Sequence, residues 1–190
     1  MDFGFSIPTR GTLATQQAVL TLAQHGEQLG FTHVAIPDHI IIPRSIASPY
    51  PYNAQGKMVG ASDGDCLEQL AVLAYLAAVT TKLRLLTSVM VVPHRPAVFT
   101  AKALATIDVL SNGRVDVGIG AGWMDEEFQA IGAPPFAEGH MVQREPGIKA
   151  VDALRRILDA SPREVLDWIS TTALEQMSMR DDLAYCPCVF

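Results

Sequence analysis

The sequence predicts an α/β protein built on a parallel sheet. Two features carry that reading: four short runs rich in β-branched and aromatic residues, and segments of helical apolar period between them. Strands that alternate with helices at short spacing imply right-handed parallel crossovers. A doubly wound open sheet and a (β/α) barrel both satisfy this pattern, and both gather ligands at the carboxyl ends of the strands.

Taken in order, Phe3, Phe5 and Ile7 alternate with smaller or polar residues up to Pro8, the pattern of a short strand. Residues 15–29 have helical spacing, with Ala18, Leu22, Gly26 and Leu29 on one stripe and Gly30 placed to end the helix. His33-Val34-Ala35-Ile36, closed by Pro37, reads as the second strand. Residues 38–64 carry Pro43, Pro49, Pro51, Gly56, Gly60 and Gly64 with no sustained period, and a segment of that kind inside a domain is usually functional or disordered. Asp65 and Glu68 have the spacing of a capping box that opens an almost wholly apolar helix reaching about Thr80. Such a helix is expected to be covered on more than one side.

Residues 84–92, rich in Leu, Thr and Val and ended by Pro93, form the third strand. Pro96 suits the first turn of a helix with Phe99, Ala103, Ile107 and Leu110 on its inward stripe, and Ser111-Asn112-Gly113 turns the chain. Val115, Val117 and Ile119 make the fourth strand, which runs into Gly120-Ala121-Gly122-Trp123.

Composition narrows the function classes. The chain has 190 residues, 49% of them hydrophobic and 18% charged, and 14 Lys+Arg against 20 Asp+Glu give a formal charge of -6. No basic field is available for nucleic acid or an anionic membrane surface. The longest apolar stretch, residues 70–79, is far short of the roughly 20 that a bilayer requires. The amino terminus lacks the pattern of a signal peptide, and a cytoplasmic location is expected. Cys66, Cys186 and Cys188 leave an odd thiol, which suits a reducing compartment, and Cys186-Pro187-Cys188 matches neither the redox nor the zinc spacing.

The strand ends hold the residues able to do chemistry. Gly118, Gly120 and Gly122 lack the spacing of a dinucleotide fingerprint and follow the fourth strand rather than the first, but small residues there let a flat ring approach the backbone. Asp38-His39 ends the second strand: the histidine could donate a hydrogen bond or move a proton, with the carboxylate tuning it, or the pair could be a loop cap and an exposed imidazole. His94 and Arg95 could place a cation near a ligand or form a solvated turn. Asp125-Glu126-Glu127 reads as the first turn of a helix, where acids complement the macrodipole. Trp123 could be core or pocket wall. No serine elbow and no metal-ligand cluster is present in the sequence.

Together these residues resemble the bacterial luciferase-like oxidoreductase family. Ile36-Pro37-Asp38-His39, then Thr87-Ser88-Val89 with Pro93-His94-Arg95-Pro96, and the run from Leu110 to Trp123 carry the likeness, extended by Glu126-Glu127-Phe128 and Ile131-Gly132-Ala133-Pro134. Ser6-Ile7-Pro8-Thr9-Arg10-Gly11 and Ile46-Ala47-Ser48-Pro49-Tyr50-Pro51-Tyr52 resemble the branch that uses coenzyme F420, a deazaflavin, with FMN as the alternative.

The resemblance implies a (β/α)8 TIM barrel with the cofactor across the carboxyl ends of the strands and hydride transfer to or from a small organic substrate. It assigns Thr87, Ser88, Val89, Gly120 and Gly122 to the cofactor, with a non-prolyl cis peptide at Ser88-Val89. Asp38 and His39 are placed beside the ring as catalytic candidates, and Pro8 and Trp123 line the substrate pocket. Where the sugar-phosphate dehydrogenase branch has an acid, this chain has Trp123, which points to an apolar pocket wall instead.

The likeness covers residues 1–158, through a helix at 148–158, and fades in an atypical tail at 159–190 where Val165, Leu166, Ile169 and Leu174 suggest another helix. A barrel typically takes about 250 residues, so four to five βα units are expected here, a truncated barrel that would hold F420 weakly. The alternative is a noncatalytic fragment that completes its sheet as a homodimer, because unpaired strand edges need covering.

Overall fold

A computed structural model describes residues 2–58 and 66–133. The helix at 148–158, the tail, Cys186, Cys188 and the Asp65 half of the capping box lie outside these residues. The predicted α/β class holds. Strands β1 (Gly4–Ser6), β2 (His33–Ile36), β3 (Arg84–Val91) and β4 (Val115–Gly120) form one parallel sheet in the order β1-β2-β3-β4. Helices α1 (Gln16–Gln28), α2 (Gln69–Val79) and α3 (Ala97–Ser111) make the crossovers, and α4 (Asp125–Ile131) follows β4. Sequential parallel neighbours linked by helices are the arrangement of successive (β/α)-barrel units.

The core lies between sheet and helices. Val34, Ile36, Leu85 and Met90 of the strands meet Leu73 and Leu76 of α2 and Leu104 and Ile107 of α3 in one buried cluster. Helix α2 packs against α1, α3 and the sheet, covered on more than one side as its apolar sequence predicts, with Ala71 and Ala78 left exposed. In α1, Thr15 caps the start by accepting from the Ala18 N–H at 3.2 Å. Gly30, at φ 86°, ends the helix while Phe31 N–H donates to the Gly26 carbonyl at 3.0 Å, a Schellman pattern that glycine adopts without strain.

Four expectations are corrected in detail. The buried positions of α1 are Val19, Ala23 and Gly26, and Leu29 is 75% exposed. Gly26 lies inward because the Phe5 ring occupies the space a side chain would need: a Cβ there would sit 2.3 Å from it. In α3 the buried face is Thr100, Ala101, Leu104, Ile107 and Ser111, while Phe99 and Leu110 are exposed. The helix is apolar on more than one stripe, and contact with α2 and the sheet selects the one a single position further on, a rotation of roughly 100°. Pro96 is its N-cap rather than part of its first turn. Helix α2 is capped by Glu68 itself, whose carboxylate accepts from Ala71 N–H at 2.7 Å.

The ladder between β3 and β4 breaks between Thr87 and Met90. There the Ser88–Val89 peptide is cis, and both residues are exposed at the carboxyl end of the strand. The connection from β2 to α2 passes over the same end and is held from α4: Glu126 accepts from the N–H groups of Ala47 (2.7 Å) and Ser48 (3.0 Å), and Ser48 Oγ accepts from Asp125 N–H at 3.1 Å.

Candidate active site

A cleft of about 450 Å³ opens at the carboxyl ends of the strands. One wall is formed by Ser88 and Val89 of β3 packed against Gly120, Ala121 and Gly122. The glycines are needed for that closeness: a Cβ on Gly120 would lie 2.7 Å from Val89 Cγ2, and one on Gly122 equally close to the Phe128 ring. The rim is aromatic. Trp123 stands edge-on to Tyr50 at 5.1 Å between centroids, and Tyr50 to Tyr52 at 5.3 Å.

Behind the wall, Asp38 is fully buried and engaged. Its Oδ2 accepts from Val91 N–H at 2.7 Å, and Arg95 binds both of its oxygens, at 2.7 and 2.8 Å, in a bidentate fork. Arg95 also reaches Glu68, at 2.6 Å. Burial works against the guanidinium charge, but the hydrogen bonds and charges of Asp38 and Glu68 prevail and raise its pKa above the ordinary value. The solvated-turn alternative for His94 and Arg95 is therefore set aside, since their side chains are 2% and 7% exposed.

The inner end of the cleft is a carboxylate between two histidines. His39 Nδ1 lies 2.9 Å from Glu127 Oε2, and Glu127 Oε1 accepts from Ile40 N–H (2.7 Å) and Ile41 N–H (3.2 Å). Burial alone would raise the Glu127 carboxyl, yet the His39 hydrogen bond, the charges of His39 and His94 and the Ile40 N–H together hold it below the usual range. His94 Nδ1 is 3.9 Å from Glu127 Oε1, beyond hydrogen-bond reach, and its ring is edge-on to Phe128 at 4.7 Å. Burial pushes His94 down, outweighing the attraction of Glu127 and Asp38. Both His94 nitrogens and Arg10 Nη1 are buried without a partner among the described residues, and both side chains line the cleft.

Of the residues singled out from sequence, His39, Asp38, Ser88, Val89, Gly120, Gly122 and Trp123 line this one cleft. Thr87 does not: it is fully buried, and its hydroxyl donates to the Gly118 carbonyl at 2.8 Å, tying β3 to β4. Pro8 is exposed and outside the lining. Glu127, His94 and Arg10 are site residues that motif reasoning left aside. For Glu127 the sequence held one signal, three successive acids where a short helix needs only one. Among the described residues no cluster of His, Cys, Asp and Glu could hold a metal ion, and no helix is long and apolar enough to cross a membrane.

Parallel βα units with a cleft on the strand carboxyl ends define a protein of the (β/α)-barrel class. The chain belongs to the luciferase-like monooxygenase family, whose sequence model matches residues 1–176. An uncharacterized protein of Mycobacterium tuberculosis is 32% identical over 141 residues, 74% of this chain and 44% of that one, so the chain spans less than half of the relative's length. An FMNH2-dependent dimethylsulfone monooxygenase of Pseudomonas fluorescens is 46% identical over 65 residues, 34% of this chain and 18% of that one. In fold, the chain is similar to the coenzyme F420-dependent tetrahydromethanopterin reductase of Methanopyrus kandleri, with a TM-score of 0.55 at 22% identity over 82% of this chain and 39% of that one.

Proposed function

We propose that the cleft is the cofactor and substrate site of a flavin- or deazaflavin-dependent oxidoreductase acting on a small organic substrate, with F420 favoured over FMN on the motifs at residues 6–11 and 46–52. The observation that carries the reading is the wall of Ser88-Val89 against Gly120-Ala121-Gly122, in one cleft with His39. A planar tricyclic ring fits such a wall, because the glycines let Val89 and Phe128 pack down against the β4 end and keep the wall low. The unpartnered Arg10 Nη1 and His94 nitrogens also suit a ligand that brings acceptors of its own.

When bound, the cofactor supplies hydride transfer, and the protein supplies orientation and electrostatics. Ser88, Val89, Gly120 and Gly122 would support the ring. His39 would hydrogen-bond a hydroxyl or N–H of the substrate, Trp123 with Tyr50 and Tyr52 would shield the substrate from water, and Asp38 would act through Arg95 and Val91 by fixing the end of β3.

The test is a fluorescence titration of the full chain with F420 and, separately, with FMN. Saturable binding of one of them, weaker than micromolar, is the expected result, and Gly120→Ala should lower the affinity at least about tenfold, the equivalent of roughly 1.4 kcal/mol. No saturable binding of either cofactor would overturn the reading.

A second reading is favoured by the strand edges. Among the described residues β1 and β4 each pair on one side only, and Phe99, Val109 and Leu110 of α3 are exposed. Here the chain would be a noncatalytic subunit that completes its sheet by homodimerisation. Sedimentation showing a folded monomer at high concentration would remove it.

A further inference from the structure

We infer that Glu127 is a positioning residue that fixes the tautomer of His39, keeping the proton on Nδ1 and presenting Nε2 to the cleft as a hydrogen-bond acceptor. The inference deepens the proposed active site by specifying which ligand atoms the histidine can receive.

Three observations support it. The first is the saturation of the carboxylate: Oε1 accepts the N–H groups of Ile40 and Ile41, so only Oε2 is left for His39, at 2.9 Å. An ionised carboxylate has no proton to give, so the ring nitrogen facing it must donate. The second is enclosure. Glu127 is 1% exposed, which keeps water from competing for Oε2. The third is the placement of His94, whose nearer nitrogen stays 3.9 Å from Oε1 and leaves His39 as the imidazole hydrogen-bonded to the carboxylate.

Nε2 of His39 has no partner among the described residues, and the ring lines the cleft. With Nδ1 protonated, Nε2 carries a lone pair. The position therefore receives a ligand that presents a hydroxyl or N–H, such as an alcohol or amide, rather than a bare carbonyl or carboxylate oxygen.

Glu127→Gln makes the assignment testable, because it inverts the donor pattern at constant size. A glutamine has a single oxygen, and the backbone N–H groups of Ile40 and Ile41 claim it. Its amide then points an N–H at His39 Nδ1, which must become the acceptor, and the proton moves to Nε2.

The measurement is a long-range proton–nitrogen correlation spectrum of the ¹⁵N-histidine-labelled full chain, in mildly alkaline buffer without cofactor. The His39 signal is assigned by its absence in His39→Gln. Wild type should show His39 as the Nδ1–H form, in at least about tenfold excess over the other tautomer, and Glu127→Gln should show the Nε2–H form with an unchanged circular dichroism spectrum. A wild-type His39 in the Nε2–H form overturns the inference, as does a folded Glu127→Gln protein that retains Nδ1–H. If Glu127→Gln does not fold, the wild-type spectrum decides alone. The readout needs no cofactor, so a failed cofactor titration would remove the proposed function and leave this result standing.

Discussion

At the amino ends of the strands, Arg114 donates to the carbonyls of Leu83, Ala77, Thr80 and Ser111 and to the Thr80 hydroxyl, Glu27 accepts from the N–H groups of Thr81, Lys82 and Leu83, and Arg84 forks onto Asp116. At the carboxyl ends, Asp38, Arg95 and Glu68 are matched in the same way, but they sit behind a layer where the His94 nitrogens and Arg10 Nη1 have no hydrogen-bond partner among the described residues and Ser88 and Val89 are exposed. The amino end spends its polar groups on holding loops to the sheet. The carboxyl end has a satisfied layer beneath an unsatisfied one, and a barrel that binds ligands at this end needs that division.

The comparison can be broken or sharpened by mutation. The largest effect is expected at the satisfied layer: Asp38→Ala leaves the Arg95 charge buried without its bidentate partner and should cost about 3–5 kcal/mol in denaturant unfolding. A loss below about 1 kcal/mol would remove Asp38 from the framework. Arg114→Met at the other end orphans several part-buried carbonyls, and a loss of about 1–3 kcal/mol in thermal unfolding is expected. Cofactor titration should be unchanged by that substitution, and a shift there would show that the two ends are coupled.

A smaller effect concerns pH. Glu127 titrates lower in the folded chain than in the unfolded one, so its contribution is complete above the ordinary carboxylate range and is lost as pH falls through that range toward the folded value. Glu127→Gln should therefore flatten the acid limb of a stability–pH curve. Buried His94 also disfavours the folded state on acidification, starting nearer neutrality, and that part of the curve should persist in the variant. The smallest effect is expected at Arg10, where Arg10→Gln removes no described hydrogen bond. Stability should change by less than about 0.5 kcal/mol, while binding of an anionic ligand in the cleft should weaken in the same protein.

Much of this was legible in the sequence. The alternation at His33-Val34-Ala35-Ile36, the Pro93 stop and the Asn112-Gly113 turn are local signals, and local signals fix strands and turns. The Ser88-Val89 and Gly120-Gly122 positions were found through the motif likeness and do share one cleft. What stayed hidden was long-range. Glu127 meets His39 across 88 positions, and Arg95 meets Asp38 across 57, so nothing near either residue announces its partner. The α3 stripe was misread for a related reason: Phe99 and Leu110 fit the helical period as well as Thr100 and Ile107 do, and only the placement of α2 and the sheet chooses between them.

The anchoring of the β2–α2 connection has a consequence for how such a pocket can diversify. Glu126 and Glu127 hold it through the main-chain N–H groups of Ile40, Ile41, Ala47 and Ser48. Every amino acid except proline supplies that group. The side chains of Ile40, Ile41 and Ala47 can therefore be exchanged without releasing the segment from its moorings, whereas the Ser48 hydroxyl is itself an anchor for Asp125 N–H. A library that randomises these three positions while excluding proline should return folded proteins, and the same moorings leave Tyr50, Tyr52 and Met58, which do line the cleft, free to vary with ligand preference.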